Sequence, residues 1–161
     1  MKAARAWFGI LAVTLACLVG SVSASPPTKP VRPAVAPDFR VTQLNGRVFQ
    51  LSQHRGRPVV INFMASWCPP CRQEMPEYAR LARQTRGRVD FLFVADDRED
   101  VLRRWVRNNW LSDLNFAVDN GVMRKYEVPG LPTTVVIRPN GTIYDYWFGY
   151  RPGRLYSVLS S

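Results

Sequence analysis

"MASWCPPCRQEMP", residues Met64–Pro76, holds two cysteines separated by two prolines, with a tryptophan directly before the first. Such a pair can be a metal clip, a structural staple or a reactive dithiol. Its flanks begin to decide. "RPVVINFMAS" before it is an apolar run rich in β-branched residues, the pattern of a strand buried on both faces. "CRQEMPEYARLARQTRG" after it sets Met75, Tyr78, Ala79, Leu81 and Ala82 at mostly helical spacing, with Gly87 as a stop. The cysteines therefore stand where a buried strand, ending at Phe63, hands over to a helix starting near Cys68 or Pro69. Proline is tolerated at a first helical position because its missing N–H would have had no partner there. Residues three apart on a helix lie roughly 5–6 Å apart, inside the roughly 4.4–6.8 Å Cα separation of a disulfide. The pair can close and open with little backbone motion, which suits a redox centre.

A cysteine at a helix N-terminus meets the positive end of the macrodipole, which favours its thiolate. Cys68 is accordingly expected to be the exposed nucleophile. Cys71, one turn in, is expected to be more buried and to act as the resolving thiol. Pro69 and Pro70 offer the thiolate no N–H and no positive charge, so Cys68 is less acidic than a strong oxidant's cysteine, and electron donation is favoured. A zinc site needs two further ligands, and only His54 accompanies these cysteines. A staple around a two-residue loop removes little chain entropy. Two alternatives stay open: a copper(I) chaperone using both thiolates, and a disulfide-forming oxidase. No resident metal or cofactor is expected.

Working outward, "FRVTQL" and "RVFQLS" flank Asn45-Gly46, a hairpin signal. "VDFLFVAD" is a second buried strand, and "REDVLRRWVRNNW" is an amphipathic helix with Val101, Leu102, Trp105 and Val106 on one side. "FAVD" and a short helix around Val122–Tyr126 lead to "VPGLPTTVVIRPNGTIYDYWFGY", read as strand, Asn140-Gly141 turn, strand. Alternating strands and helices argue for an α/β sheet with at least one parallel pair, closed by an antiparallel hairpin.

The chain has 161 residues, 47% hydrophobic and 21% charged, enough for one ordinary domain plus an extension. Its formal net charge of +10 is spread along the sequence. Without a compact Lys/Arg run or a basic helix face, that charge reads as a basic surface rather than a nucleic-acid site. At the N-terminus, Lys2 and Arg5 precede an apolar run from Ala6 to Val19, and "SVSAS" offers cleavage after Ala24. Residues 1–24 are expected to be a signal peptide. The alternative is a retained membrane anchor using residues 6–22, although the run is shorter than the roughly 20 residues a spanning helix prefers. Lipid attachment at Cys17 is disfavoured by Thr14, which stands where an apolar aliphatic residue is wanted. Residues 25–37, with five prolines, read as a semi-rigid spacer. The folded domain is expected to span 38–161. Every version places the protein outside the cytoplasm, periplasmic or otherwise exported, where the two cysteines left after cleavage would form a disulfide readily.

With Trp67 directly before the first cysteine, Pro76 five residues after the second, and the loop "VPGLPTT", the chain resembles the thioredoxin superfamily over about Asp38–Tyr150. Within it the chain looks most like the exported TlpA/ResA branch, which includes the thioredoxins of cytochrome c maturation. That resemblance implies a thioredoxin fold: a mixed central β-sheet flanked by helices, an N-terminal β-hairpin and a central helix–strand insertion. The 61 residues from Cys71 to Pro132 leave room for the insertion. It implies a thiol–disulfide oxidoreductase that reduces protein disulfides, for example in apocytochrome c or copper-site proteins, with electrons from a membrane-embedded thiol carrier. A monomer is expected. It also implies a cis bond before Pro132, leaving the Leu131 backbone to pair with a substrate strand, with Trp67 shaping the substrate face. Thioredoxin keeps a buried aspartate where this chain has Asn62; the branch instead tends to carry a glutamate at the position of Glu74. Glu74 lies one turn after Cys71 on the same helical face. If buried, it can accept the resolving thiol's proton; otherwise it is a solvated first-turn glutamate. A peroxidase is disfavoured because the peroxiredoxin-type proline and threonine are absent: Asn62 and Ala65 stand six and three residues before Cys68. After Gly149 only "YRPGRLYSVLSS" remains, so the terminal helix must be short.

Overall fold

The computed structural model describes residues 34–161. The leader, the anchor over residues 6–22, Cys17 and the spacer up to residue 33 lie outside the described residues. Among the described residues no helix is long and apolar enough to cross a membrane.

The elements follow the order β1 (Arg40–Thr42), β2 (Val48–Gln50), a 3₁₀ turn (Leu51–His54), β3 (Val59–Met64), α1 (Pro69–Gln84), β4 (Asp90–Ala95), α2 (Glu99–Asn108), β5 (Phe116–Val118), α3 (Val122–Lys125), β6 (Thr133–Ile137), β7 (Ile143–Phe148) and α4 (Arg154–Ser160). The five-stranded sheet runs β5-β4-β3-β6-β7. β3, β4 and β5 are mutually parallel neighbours, while β6 and β7 are antiparallel. The mixed sheet, the closing hairpin, the separate N-terminal ribbon and the short terminal helix all match the reading of the sequence. α2 and β5 occupy the central stretch where an added helix and strand were expected.

Side-chain alternation along the central strands builds two cores. Val60 and Met64 of β3 join Met75 and Tyr78 of α1, Leu102 of α2 and Leu155 of α4 on one face. Val59, Ile61 and Phe63 join Phe39, Phe49 and Tyr126 on the other, beneath the ribbon and α3. The ribbon also covers the sheet's edge. Gln43 bridges Ala117, and the Leu44 N–H donates to the Phe116 carbonyl at 2.7 Å, so β5 does not present a bare ladder.

The spacer ends earlier than its proline content suggests. Val35 bridges Thr142, the Ala36 N–H donates to the Gly141 carbonyl at 2.9 Å, and Ala36 is buried. Between Pro33 and Pro37, three residues keep their N–H groups, and that is enough to dock on the β6–β7 turn.

Candidate active site

α1 starts at Pro69 because Cys68 caps it. Cys68 is extended (φ −82°, ψ 114°), and its Sγ accepts the Cys71 N–H at 3.4 Å. Pro69 and Pro70 occupy the positions where donors to that sulfur are missing, so Cys71 supplies the one first-turn N–H aimed at it. Cys68 and Cys71 are joined in a disulfide with Cα atoms 5.3 Å apart.

The expected order of exposure holds, but Cys68 is not the exposed residue the sequence suggested. It is 4% accessible and Cys71 0%. Its sulfur is turned inward by the bond to Cys71, and the loop before it is pinned down. The Ser66 N–H and Oγ–H both donate to the Asp97 carboxylate, at 2.7 and 2.6 Å, and the Cys68 N–H donates to the Ala65 carbonyl. Trp67 is held by its indole N–H on the Asp96 carbonyl at 3.1 Å, yet remains 64% exposed. Sequence reasoning missed Asp96 and Asp97. Adjacent parallel strands end side by side, so the loop after β4 had to meet the loop after β3.

On the other flank, the Leu131–Pro132 bond is cis and Pro132 is buried. Gly130 sits against the Phe148 ring so closely that a Cβ there would stand 2.8 Å from Cε2. Among the described residues, neither backbone polar group of Leu131 is engaged in a hydrogen bond.

Glu74 is fully buried on the sheet-facing side of α1, which removes the solvated reading. Its Oε1 accepts the Asn62 Nδ2–H at 2.7 Å, while Oε2 has no partner among the described residues. Desolvation raises its pKa to about 8, opposed by the Asn62 hydrogen bond and reinforced by the charge of Glu77. Asn62 also donates to Thr134 Oγ1 at 3.3 Å, and the Tyr78 hydroxyl pairs with the same oxygen at 2.9 Å. Burial, with the charge of Glu74, pushes the Tyr78 phenol up, so Tyr78 stays neutral. The sequence reading singled out Asn62 but missed Thr134, one of two buried threonines that open β6. His54 lies elsewhere, stacked on Phe49 and bonded to Asp90, outside the cysteine site.

A capped cysteine pair, an exposed tryptophan and a cis-proline loop on one mixed sheet define the type of site, and comparison with known proteins gives its family. The AhpC/TSA family model matches residues 34–146. The chain belongs to the AhpC/TSA family. Thioredoxin-like protein YneN of Bacillus subtilis is 32% identical over 121 residues, covering 71% of this chain and 69% of that protein. Thiol-disulfide oxidoreductase ResA of Bacillus cereus is 32% identical over 120 residues, covering 71% and 68%. Among solved structures, a putative thiol:disulfide interchange protein DsbE from Chlorobium tepidum superposes with a TM-score of 0.71 at 27% identity, covering 80% of this chain and 92% of that one. A secreted Mycobacterium tuberculosis disulfide oxidoreductase homologous to E. coli DsbE gives 0.66 at 26%, covering 76% and 94%. This AhpC/TSA-family chain is thus a thiol–disulfide oxidoreductase with a thioredoxin-like fold, and its substrates carry protein thiols or disulfides.

Proposed function

We propose that this oxidoreductase is exported and works as a reductase of protein disulfides, with apocytochrome c or copper-site proteins as the substrate class. The observation that carries the direction is the cap of α1. One backbone N–H reaches Cys68 Sγ, and two prolines withhold the others, so the thiolate gains little over the disulfide. Export is supported by the apolar N-terminal run and by the secreted relative with 26% identity.

In the reaction, the Cys68 thiolate attacks a substrate disulfide. That S–S bond breaks, a mixed disulfide forms, and one substrate sulfur leaves as a thiolate. Cys71 then loses its proton to Glu74 and attacks Cys68 Sγ, releasing the second substrate sulfur. Two electrons pass to the substrate, whose two sulfurs take up protons, and the protein is left oxidised. A membrane thiol carrier restores the dithiol. The exposed ring of Trp67 and the open backbone of Leu131 flank the disulfide as the surface for an extended substrate segment, bound by a monomer.

The direct test mixes each redox form with a Cys-x-x-Cys-His peptide of the complementary state. The reduced protein is expected to reduce the oxidised peptide with equilibrium well toward peptide dithiol. Equilibrium toward peptide disulfide would instead support the oxidase reading.

Glu74 gives a prediction with a worked sign. With a pKa of about 8, its carboxyl is mostly protonated at pH 7. It becomes an available base as pH rises through that value, so the resolving step should accelerate there and level off above it. Glu74→Gln should slow resolution by about a hundredfold or more at its plateau and remove that inflection. Stability moves the opposite way: the folded state holds this proton more tightly than the unfolded chain, so ionisation costs stability as pH rises from about 4.5 to 8. Glu74→Gln should lose that decline in a urea titration series.

A further inference from the structure

One cross-strand row runs across the sheet beneath α1: Phe116, Phe93, Asn62, Thr134 and Trp147, each the register partner of the next. Its ends are aromatic and its middle is polar. Phe93 and Phe116 stack at 4.8 Å on one side, and buried Trp147 closes the other. Asn62 therefore sits where water is excluded, 0% accessible, directly behind the equally buried Glu74.

We propose that Asn62 is the positioning residue of the proton-transfer step: its amide holds one oxygen of Glu74 and leaves the other to take the proton of Cys71. This rests on the proposed role of Glu74 and adds what directs it. Asn62 Nδ2 lies between two acceptors, Glu74 Oε1 at 2.7 Å and Thr134 Oγ1 at 3.3 Å. Against an ionised Glu74, turning the amide over would set Oδ1 against the carboxylate, so Nδ2 faces Oε1; Oδ1 itself has no partner among the described residues, and the Tyr78 hydroxyl pairs with Thr134 Oγ1. Oε1 is thus committed, and Oε2 has no partner among the described residues. When the mixed disulfide resolves, the Cys71 sulfur loses its proton to Oε2 and attacks Cys68. The Cys68–substrate S–S bond breaks, the Cys68–Cys71 bond forms, and the substrate sulfur leaves with the electron pair and is protonated by solvent.

The surroundings make this hydrogen bond the main counterweight to burial. Glu77 and Tyr78 on α1 and Tyr150 after β7 are the titratable groups coupled to Glu74, and each is an acid. β3 and β6 present Asn62 and Thr134, which are neutral, and the head of α1 presents the cysteines. Among the described residues no arginine, lysine or histidine bonds to Glu74. Donation from Asn62 favours the ionised carboxyl, so losing it moves the base to higher pH.

The experiment is a single-turnover resolution assay on a preformed mixed disulfide with a cysteine peptide, followed from pH 6 to 10. It compares the unaltered protein, Asn62→Leu, Glu74→Gln and the double variant. Asn62→Leu, which keeps the branched skeleton and removes the donor, should move the midpoint up by about one pH unit and slow resolution about tenfold at pH 7. In the Glu74→Gln background the same change should have no effect on the rate. A midpoint unmoved by Asn62→Leu, while Glu74→Gln flattens the profile, overturns the positioning role and leaves the Glu74 role standing. A profile untouched by Glu74→Gln overturns the Glu74 role itself. Should Asn62→Leu fail to fold, Asn62→Asp keeps the shape and places two carboxyls in one buried site. It should raise the midpoint by at least as much, and an unchanged midpoint overturns the proposal.

Discussion

Cys71→Ser will leave the protein covalently joined to its substrate and will bring turnover down to the uncatalysed background. The proposed mechanism gives the two thiols different roles. Cys68 caps the helix at its N-terminus, where the dipole and the Cys71 N–H support a thiolate. Cys71 is fully buried one turn in, with its Cα 5.3 Å from that of Cys68, close enough to reach the Cys68 sulfur but withdrawn from a protein substrate. A serine at 71 cannot displace the substrate sulfur, so the mixed disulfide accumulates. It is read on a non-reducing gel and by intact mass, and it disappears with dithiothreitol. Cys68→Ser is expected to form no such adduct. An adduct carried by Cys71 in the Cys68→Ser protein would reverse the assignment of nucleophile and resolving thiol.

Phe93→Ala should cost about 3–5 kcal/mol of stability. Phe93 is fully buried in β4, between parallel neighbours β3 and β5. Its ring stacks on Phe116 at 4.8 Å and lies 6.4 Å from Phe91. Truncation removes the ring from a site framed by two strands and α1, where collapse is restricted. Against the usual total of about 5–15 kcal/mol, that loss brings the domain near its threshold. Urea unfolding of the oxidised protein, followed by tryptophan fluorescence, measures it. A loss below about 1 kcal/mol would mean that this face of the sheet is not closely packed. Because Phe93 borders Asn62 in the cross-strand row, the same variant should also disturb the Glu74 titration.

The architecture was legible because its signals are local. The β-branched runs of β3 and β4, the helical spacing from Met75 to Ala82, and glycines in left-handed turns at Gly46 and Gly141 (φ +80° and +83°) each depend on neighbours in sequence. The cysteine pair was legible for the same reason. What surrounds it was not, because those contacts join distant segments. Asp97 reaches Ser66 across the ends of two parallel strands, and Thr134 meets Asn62 only through the register of β3 with β6. Cys68 misled because a helix-end position suggests exposure, while burial is set by the Ser66–Asp97 clamp and the inward turn of the sulfur. The docking of Ala34–Pro37 was hidden by the prolines around it. Glu74 shows both sides: its helical face was readable from spacing, but its burial depended on the sheet behind it.

The reduction potential of Cys68–Cys71 decides the direction of electron flow. Equilibrating Cys68–Cys71 in graded dithiothreitol buffers at pH 7, and counting free thiols by alkylation and mass, gives that value. A reductase should show a potential near thioredoxin's, about −270 mV. A potential near that of a strong oxidant, about −120 mV, would contradict the reductase reading and assign the protein to disulfide formation.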